Sequence, residues 1–179
     1  MGTVILFLDF DGVLHHEKVS LQKCHPAKRR HLSESDRRHL TLDGKFVKGK
    51  NLFEHADRLA TCLEPFPDVR IVISSTWREH FRPEAILHFL PPALADRVIG
   101  HTPLCSQGSE DGTRLSEVLA YVDGNGHAGE PWIALDDQAR LFLDDELACS
   151  DNLFLLTGTE GLTAEAAIAF STFLRARLE

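Results

Sequence analysis

The sequence lacks the features that mark several large classes of protein. Its four cysteines include no CxxC pair, a spacing typical of reduced thiols in a cytoplasmic protein. The first apolar run, Val4–Leu8, has only five residues, follows no basic residue and meets carboxylates at once. It therefore predicts neither a signal peptide nor a membrane span, and we expect no membrane partner. The chain also contains no internal repeat and no low-complexity tract.

The length and composition predict one ordinary globular domain. With 179 residues, of which 43% are apolar and 26% charged, the chain is long enough to bury a real core. We expect a single domain over residues 1–179. Residues 15–50 form its main irregular region and are predicted to be a flap or small cap inserted after the first strand.

Positive charge is concentrated in one segment of an acidic chain. The net charge is −8, but residues 15–50 contain ten Lys and Arg against four Asp and Glu, a local charge of +6. The rest of the chain contains nine Lys and Arg against twenty-three Asp and Glu, a charge of −14. A single basic segment in an acidic protein indicates either a solvated arm or a surface for an anionic partner.

Short apolar runs alternate with helix-like segments along the chain. The runs predicted as buried parallel strands are Val4–Leu8, Val69–Ile73, Arg97–Ile99, Trp132–Leu135 and Leu153–Leu156. The segments predicted as helices are Leu52–Leu63, Pro83–Leu90, Leu115–Val122, Gln138–Leu147 and Thr163–Leu178. This alternation predicts an α/β fold, a Rossmann-like three-layer sandwich with a five-stranded parallel sheet and a small basic insertion after the first strand.

Polar residues follow these strands at the sheet edge where α/β proteins bind ligands. The candidate site residues, in chain order, are Asp9, Asp11, Ser74, Ser75, Arg78, Arg114, Asp136 and Asp137. Crowded carboxylates repel one another unless a cation lies among them, and oxygen ligands suit Mg²⁺. A hydroxyl and an arginine beside the metal would bind the remaining oxygens of a phosphate. The residues therefore predict phosphoryl chemistry that uses Mg²⁺.

The two aspartates after the first strand suit two different steps of that chemistry. One carboxylate can attack phosphorus as a nucleophile. The other can give the leaving group a proton and later take one from water. Taken alone, Asp9 and Asp11 could instead form a turn, because such residues cluster after strands.

Four segments resemble the motifs of the haloacid dehalogenase (HAD) superfamily of phosphohydrolases, and they occur in that superfamily's order. The segments are FLDFDGVL, IVISSTW, GTRLSEVL and WIALDD, and together with the start of the strand that carries the first one they span Val4 to Asp137. Asp11 favours a phosphatase, since the dehalogenases of the superfamily lack the second aspartate. The combination of SSTWR, LDD and EGLT is also similar to small bacterial HAD domains, some of which are attached to RNA-repair proteins.

The resemblance implies a role for each acidic residue. Asp9 would be the nucleophile and a ligand of Mg²⁺. Asp11 would be the general acid and base, and its backbone carbonyl would bind the metal. Of the pair Asp136 and Asp137, Asp137 would bind the metal directly. Asp136 would bind the metal through a water molecule or support its ligands without touching it.

The resemblance also implies roles for the hydroxyl and basic residues. Ser74 would hydrogen-bond the transferred phosphoryl group, although it could instead cap the next helix and leave that role to Ser75 or Thr76. Arg114 would hold the nucleophile and the phosphate, and Arg78 and Arg97 are its rivals for that role. Arg78, just past the serines, is a candidate second contact with phosphate or substrate.

Three other features have simpler interpretations. Asp144 and Asp145 repeat the LDD pattern, but they lie where a helix should cross to the last strand and are predicted to be solvated. Trp77 could stack on a base, yet a core position is favoured. Cys24 and His25, with histidines nearby, match no known zinc pattern.

The basic insertion bears on the substrate. An insertion directly after Asp11 should overhang the active site, and a small lid leaves the site open to bulky substrates. The preferred hypothesis is a nucleic-acid end or a nucleotide, bound through the basic segment 18–50 by its phosphates. The alternatives are a small phosphorylated metabolite and a weakly catalytic HAD-fold binding or adaptor module.

Overall fold

The computed structural model describes residues 3–24, 31–49, 51–104, 113–142, 151–157 and 159–179, without the side chains of residues 35 and 36. The strands are β1 (Val4–Leu8), β2 (Ser20–Lys23), β3 (Lys45–Lys48), β4 (Val69–Ile73), β5 (Val98–His101), β6 (Trp132–Asp136) and β7 (Leu153–Leu155). The helices are α1 (Glu34–Arg37), α2 (Ala56–Leu63), α3 (Trp77–His80), α4 (Pro83–Leu87), α5 (Pro92–Ala95), α6 (Thr113–Gly124) and α7 (Ala164–Leu178). A 3₁₀ turn spans Ala139–Phe142.

Five strands form one parallel sheet in the order β5-β4-β1-β6-β7. The chain winds outwards from β1 in both directions, so that the first strand is central. This confirms the predicted Rossmann-like α/β fold. The ranges of β1 and β4 are those predicted, because continuous apolar runs mark strands that are buried on both faces.

Side chains of β1 alternate between two hydrophobic cores. Leu6 and Leu8 belong to the core that contains buried residues of α2 and α7. Ile5 and Phe7 belong to the core on the opposite face, which contains residues of α6. Burying each of these side chains stabilises the fold by about 2 kcal/mol relative to exposure. The sheet is therefore the middle layer of the fold.

Helix α2 begins at Ala56, whereas the sequence predicted a start at Leu52. The reason is local: Asn51 and Phe53 have positive φ angles of 51° and 60°, which are incompatible with a helix. The helix predicted over 83–90 is also shorter in the structure, where α4 ends at Leu87. In the described parts of the chain, no helix is long and apolar enough to cross a membrane.

Residues 15–50 contain a small antiparallel hairpin that the sequence analysis did not predict. Strands β2 and β3 pair with Leu21 opposite Val47. Most of β2 is exposed, and only Val47 of β3 is buried, so neither strand has the apolar run that marked the central strands. The division into one domain with residues 15–50 as an insertion stays a prediction.

Candidate active site

The register of the central strands brings three candidate residues to one edge of the sheet. Leu8, the last residue of β1, pairs with Ile73 of β4 and with Leu135 of β6. The residues that follow are Asp9, Ser74 and Asp136, and all three are buried. Parallel strands end at a common edge, so residues distant in sequence become neighbours there.

Helix α6 carries Arg114 to the same edge. Arg114 Nη1 lies 3.2 Å from Asp9 Oδ1 and 3.2 Å from Asp136 Oδ2. The arginine side chain is 4% exposed, so this ion pair is formed away from water. Burial acts against the charge, but the Asp9 and Asp136 carboxylates outweigh it and raise the pKa of Arg114 above its ordinary value. The motif resemblance implies the contact of Arg114 with Asp9, whereas its contact with Asp136 was not predicted.

Three carboxylates lie together beside this arginine. Asp9, Asp136 and Asp137 each offer an oxygen atom, and these atoms lie within 4.8 Å of one another. Burial, and then the Asp9 carboxylate, raise the pKa of Asp136 to about 8. The same two causes, in the same order, raise the pKa of Asp137 to about 6. The positive charge of Arg114 is therefore too small to balance the cluster.

The pKa of Asp9 is also raised above its ordinary value. Burial is the largest cause and raises the pKa of Asp9, while Arg114 acts against it. The neighbouring Asp11 carboxylate raises the value further, and a hydrogen bond with the Ser75 side chain lowers it. Asp9 thus lies in a pocket that disfavours its negative charge unless more positive charge is brought in.

The acidic cluster fits a hard divalent cation such as Mg²⁺. All three of its side chains offer oxygen, the ligand type that this ion prefers. Asp137 Oδ1 is buried and has no hydrogen-bond partner in the described part of the chain. An unpaired buried carboxylate oxygen is costly unless a cation binds it.

Gly12 leaves the space that Asp137 occupies. Its φ angle is +70°, a conformation that residues with a side chain rarely adopt. A Cβ atom at this position would lie 2.1 Å from Asp137 Oδ2. The glycine therefore permits both the turn after β1 and the position of the Asp137 carboxylate.

The two serines after β4 are in different environments. Ser74 Oγ is buried and has no hydrogen-bond partner among the described residues. Ser75 is also buried, but its hydroxyl accepts a hydrogen bond from the backbone N–H of Trp77 at 3.4 Å, and its side chain contacts Asp9. The free hydroxyl of Ser74 suits a substrate oxygen better. Thr76 is exposed.

Arg78 is part of a buried ion pair that the sequence analysis missed. Its Nη2 lies 2.5 Å from Glu117 Oε2, and its Nη1 donates to the carbonyl of Ser75 at 2.6 Å. Glu117 also lies 4.0 Å from Nε of Arg114. A role for Arg78 in substrate binding stays a prediction. The signal for Glu117 was available, since a charged residue at i+3 from Arg114 falls on the buried face of the helix.

Asp11 lies nearer the surface than Asp9 and is held by two N–H groups. Trp77 Nε1 donates to both of its carboxylate oxygens, at 3.2 and 3.1 Å, and His15 Nε2 lies 2.9 Å from Oδ1. The side chain of Asp11 is 27% exposed. Trp77 is buried, as expected for a core residue, but its indole N–H also belongs to the site.

A cleft of about 670 Å³ opens beside Asp11 and Asp137. Its other walls are formed by Gln138, Thr159 and residues 17–19 of the basic segment. The start of that segment therefore borders the candidate site. The lysine at position 18 is exposed within this wall.

Several candidates lie outside the described residues. Among them are Asp144, Asp145 and His25, and also residues 143–147 of the helix that was predicted after β6. Their predicted structure and roles are not tested. Within the described ranges, the group spaced to hold a metal is the aspartate cluster, and Cys24 is not part of it.

The sequence matches a known protein family over most of its length. Residues 5–167 match the family described as the HAD domain in Swiss Army Knife RNA repair proteins. No curated protein and no solved structure matched the chain in the corresponding comparisons. The family match includes all four motifs and confirms the predicted resemblance. HAD domains are in general hydrolases and phosphatases.

Proposed function

The chain belongs to the HAD domains of Swiss Army Knife RNA repair proteins, and on that premise we propose that it is a Mg²⁺-dependent phosphomonoester hydrolase. The observation that carries the proposal is the position of Arg114 Nη1, 3.2 Å from both Asp9 Oδ1 and Asp136 Oδ2. A buried cation beside a candidate nucleophile is suited to a phosphoryl group, because phosphoryl oxygens need positive charge while the nucleophile attacks phosphorus.

The reaction proceeds in two steps through an aspartyl phosphate. In the first, a carboxylate oxygen of Asp9 bonds to phosphorus, the ester P–O bond breaks and the carboxyl group of Asp11 gives its proton to the leaving oxygen. In the second, Asp11 takes a proton from water, whose oxygen bonds to phosphorus and releases the Asp9 carboxylate. Arg114 and the Ser74 hydroxyl bind phosphoryl oxygens in both steps.

The aspartate cluster is the proposed metal site. The carboxylates of Asp9, Asp136 and Asp137, with the backbone carbonyl of Asp11, would hold Mg²⁺. When bound, the ion supplies the positive charge that the cluster lacks and neutralises charge on the phosphoryl oxygens. The unpaired Asp137 Oδ1 and the raised carboxyl pKa values support this assignment.

The proposed substrate is the phosphorylated end of a nucleic acid. The name of the matching family refers to RNA repair. The cleft beside Asp11 is open, and Lys18 lines it at the start of the basic segment. Lysines outside the reacting centre would contact the phosphate backbone without reading sequence.

The test is a phosphate-release assay on a panel of substrates. The panel holds an aryl phosphate, nucleotides, sugar phosphates and oligonucleotides phosphorylated at either end. Each substrate is assayed with the wild-type protein in Mg²⁺ and in EDTA, and with the variant Asp9→Asn in Mg²⁺. The matched control is Asp123→Asn, which makes the same change at an exposed position at the end of α6.

We expect release that needs Mg²⁺, that Asp9→Asn abolishes and that Asp123→Asn leaves intact. Activity on an oligonucleotide should fall steeply as salt is raised, whereas activity on a monophosphate ester should fall much less. A preference for sugar phosphates would overturn the substrate proposal. Silence across the panel from a folded protein that binds Mg²⁺ would overturn the enzymatic one and favour a binding module.

A further inference from the structure

The carboxylate of Asp11 is held unequally at its two oxygens. Oδ1 accepts hydrogen bonds from His15 at 2.9 Å and from the indole N–H of Trp77 at 3.2 Å. Within the described ranges of the chain, Oδ2 accepts only from the shared indole N–H, at 3.1 Å. Among these contacts, Oδ2 is therefore the oxygen with more capacity left to bind a proton.

The tautomer of His15 follows from its second contact. The backbone N–H of Phe53 donates to His15 Nδ1 at 3.3 Å, so this nitrogen is an acceptor and carries no proton. In the neutral ring the proton is then on Nε2, which faces Asp11 Oδ1. Phe53 thus determines that His15 is a donor to the carboxylate.

Both donors are rigidly placed. The His15 side chain is 1% exposed, and its ring lies 5.0 Å from that of Phe53 and 5.6 Å from that of Trp77, centroid to centroid. Trp77 packs in turn against Phe10 and Phe81. Rings locked by packing on several sides can hold a hydrogen-bonded group within the narrow geometry that catalysis needs.

We propose that His15 and Trp77 are positioning residues that direct the proton-exchanging oxygen of Asp11, Oδ2, to the substrate. The inference rests on the proposed function, in which Asp11 is the general acid and base. The proton on Oδ2 moves to the ester oxygen as the Asp9–phosphorus bond forms and the ester bond breaks. Oδ2 later accepts the proton of the attacking water. Both side chains act through the Asp11 carboxylate, and neither of them exchanges a proton with the substrate in this scheme.

Three substitutions separate this role from simple packing. Trp77→Phe keeps an aromatic ring and removes the N–H, and its control is Trp132→Phe at the second tryptophan of the chain. His15→Gln can place an amide donor near the position of Nε2 but loses the acceptor for Phe53. His15→Asn can keep that acceptor at the position of Nδ1 but loses the donor to Asp11.

The readout is the dependence of kcat/KM on the leaving group. An alkyl phosphate needs its leaving oxygen protonated, whereas para-nitrophenyl phosphate has a leaving group that is stable as an anion. We expect Trp77→Phe and His15→Asn each to lower kcat/KM for the alkyl ester about tenfold, and for the aryl ester less than threefold. His15→Gln should retain more alkyl-ester activity than His15→Asn.

A packing role predicts the opposite pattern for the histidine variants. If His15 serves only to accept the hydrogen bond from the backbone N–H of Phe53, His15→Asn will be more active than His15→Gln. The values of kcat/KM for the two esters will then fall by the same factor, which would overturn the inference. Equal losses in Trp77→Phe and Trp132→Phe would overturn it for the tryptophan. Thermal unfolding of each variant excludes loss of folded protein as the cause.

A measurement without turnover keeps the inference distinct from the proposed function. The two indole N–H groups give two signals in a proton–nitrogen NMR spectrum. Asp11→Ala should shift the Trp77 signal and leave that of Trp132 in place. A shift with no phosphatase activity on any ester would contradict the proposed function although the contact exists. An unchanged Trp77 signal would contradict the positioning role even in an active enzyme.

Discussion

Arg114 Nη1 lies 3.2 Å from Oδ1 of Asp9 although helix α6 and strand β1 are far apart in sequence. The same atom lies 3.2 Å from Asp136 Oδ2, so one guanidinium is shared by two buried carboxylates. Replacing Arg114 with an uncharged residue removes positive charge at the point where a phosphoryl group would gain negative charge. The relationship makes Arg114 the residue whose replacement should be most informative.

We expect Arg114→Met to lower kcat about 100-fold or more, because removing one preorganised charge from an active site has an effect of that order. Arg114→Lys should lose less, since it keeps the charge but not the planar fork. The measurement is steady-state phosphatase kinetics with saturating Mg²⁺. Arg175→Met, at an exposed position of α7, serves as the control. A kcat of Arg114→Met within twofold of the wild type would contradict the assigned role.

The buried pair of Arg78 and Glu117 should matter for stability. Glu117→Gln removes the carboxylate that pairs with the buried Arg78 guanidinium, and breaking a buried pair in this way costs about 3 kcal/mol. The double variant Arg78→Met with Glu117→Leu should recover part of that loss. Urea unfolding measures both, with the exposed Glu64→Gln as the control. Additive losses in the double variant would show that the two side chains are not coupled.

The acidic cluster predicts how stability changes with pH in the absence of metal. The folded-state pKa of Asp136, about 8, lies above its ordinary value of 3.8, so the folded protein binds this proton more tightly than the unfolded chain. The resulting stability is present at low pH and is lost as pH rises towards 8. We expect the melting temperature in EDTA to fall over this range.

Two comparisons test that assignment. Asp136→Asn should make the fall shallower, since one titrating group is gone, while the raised pKa values of Asp9 and Asp137 leave part of the fall in place. Saturating Mg²⁺ should also offset it, because a ligand that binds only the folded state stabilises it. Melting curves recorded at matched ionic strength give both. If Asp136→Asn in EDTA keeps the slope of the wild type, another group is responsible.

Gly12 offers a test of the metal site that leaves the aspartates in place. In Gly12→Ala the new Cβ would lie 2.1 Å from Asp137 Oδ2, so the carboxylate must move. We expect the Mg²⁺ concentration for half-maximal activity to rise about tenfold, the loss typical of displacing a supporting residue of a metal site. Gly126→Ala is the matched control, because its φ is +73° and it has nothing within 4 Å of a Cβ.

Both alanine variants should lose about 1 kcal/mol of stability from backbone strain. Only Gly12→Ala should change the Mg²⁺ requirement, and calorimetric titration of Mg²⁺ would show whether binding itself weakens. Equal Mg²⁺ requirements in the two variants would mean that Asp137 is not a ligand.

Much of the fold could be predicted because its signals are local. The apolar runs of β1 and β4 are continuous, and the structure places both strands at the predicted residues. The start of α2 was missed because Phe53 is of a residue type that rarely adopts a positive φ angle, although Asn51 is of a type that does so more often. The hairpin of β2 and β3 was missed because its side chains are largely exposed.

The candidate site divides in the same way. Asp9 and Asp136 each come at the end of an apolar run, and the order of the four motifs links Asp9, but not Asp136, to Arg114. The contacts of Asp11 with His15 and Trp77 had no such signal. A buried histidine and a buried tryptophan are common in any core, and only their distances to a carboxylate distinguish these two.

The sequence by itself determined the fold, the family and the residue types of the phosphoryl site, because each depends on patterns that are read along the chain. The tertiary structure alone decided which of those residues meet. It placed Arg114 between two carboxylates, turned Arg78 towards Glu117 and made His15 a donor through the backbone N–H of Phe53. The physical reason is that charge pairing and hydrogen bonding depend on distances of a few ångströms between side chains remote in sequence, and the packing of the whole sheet and its helices sets those distances.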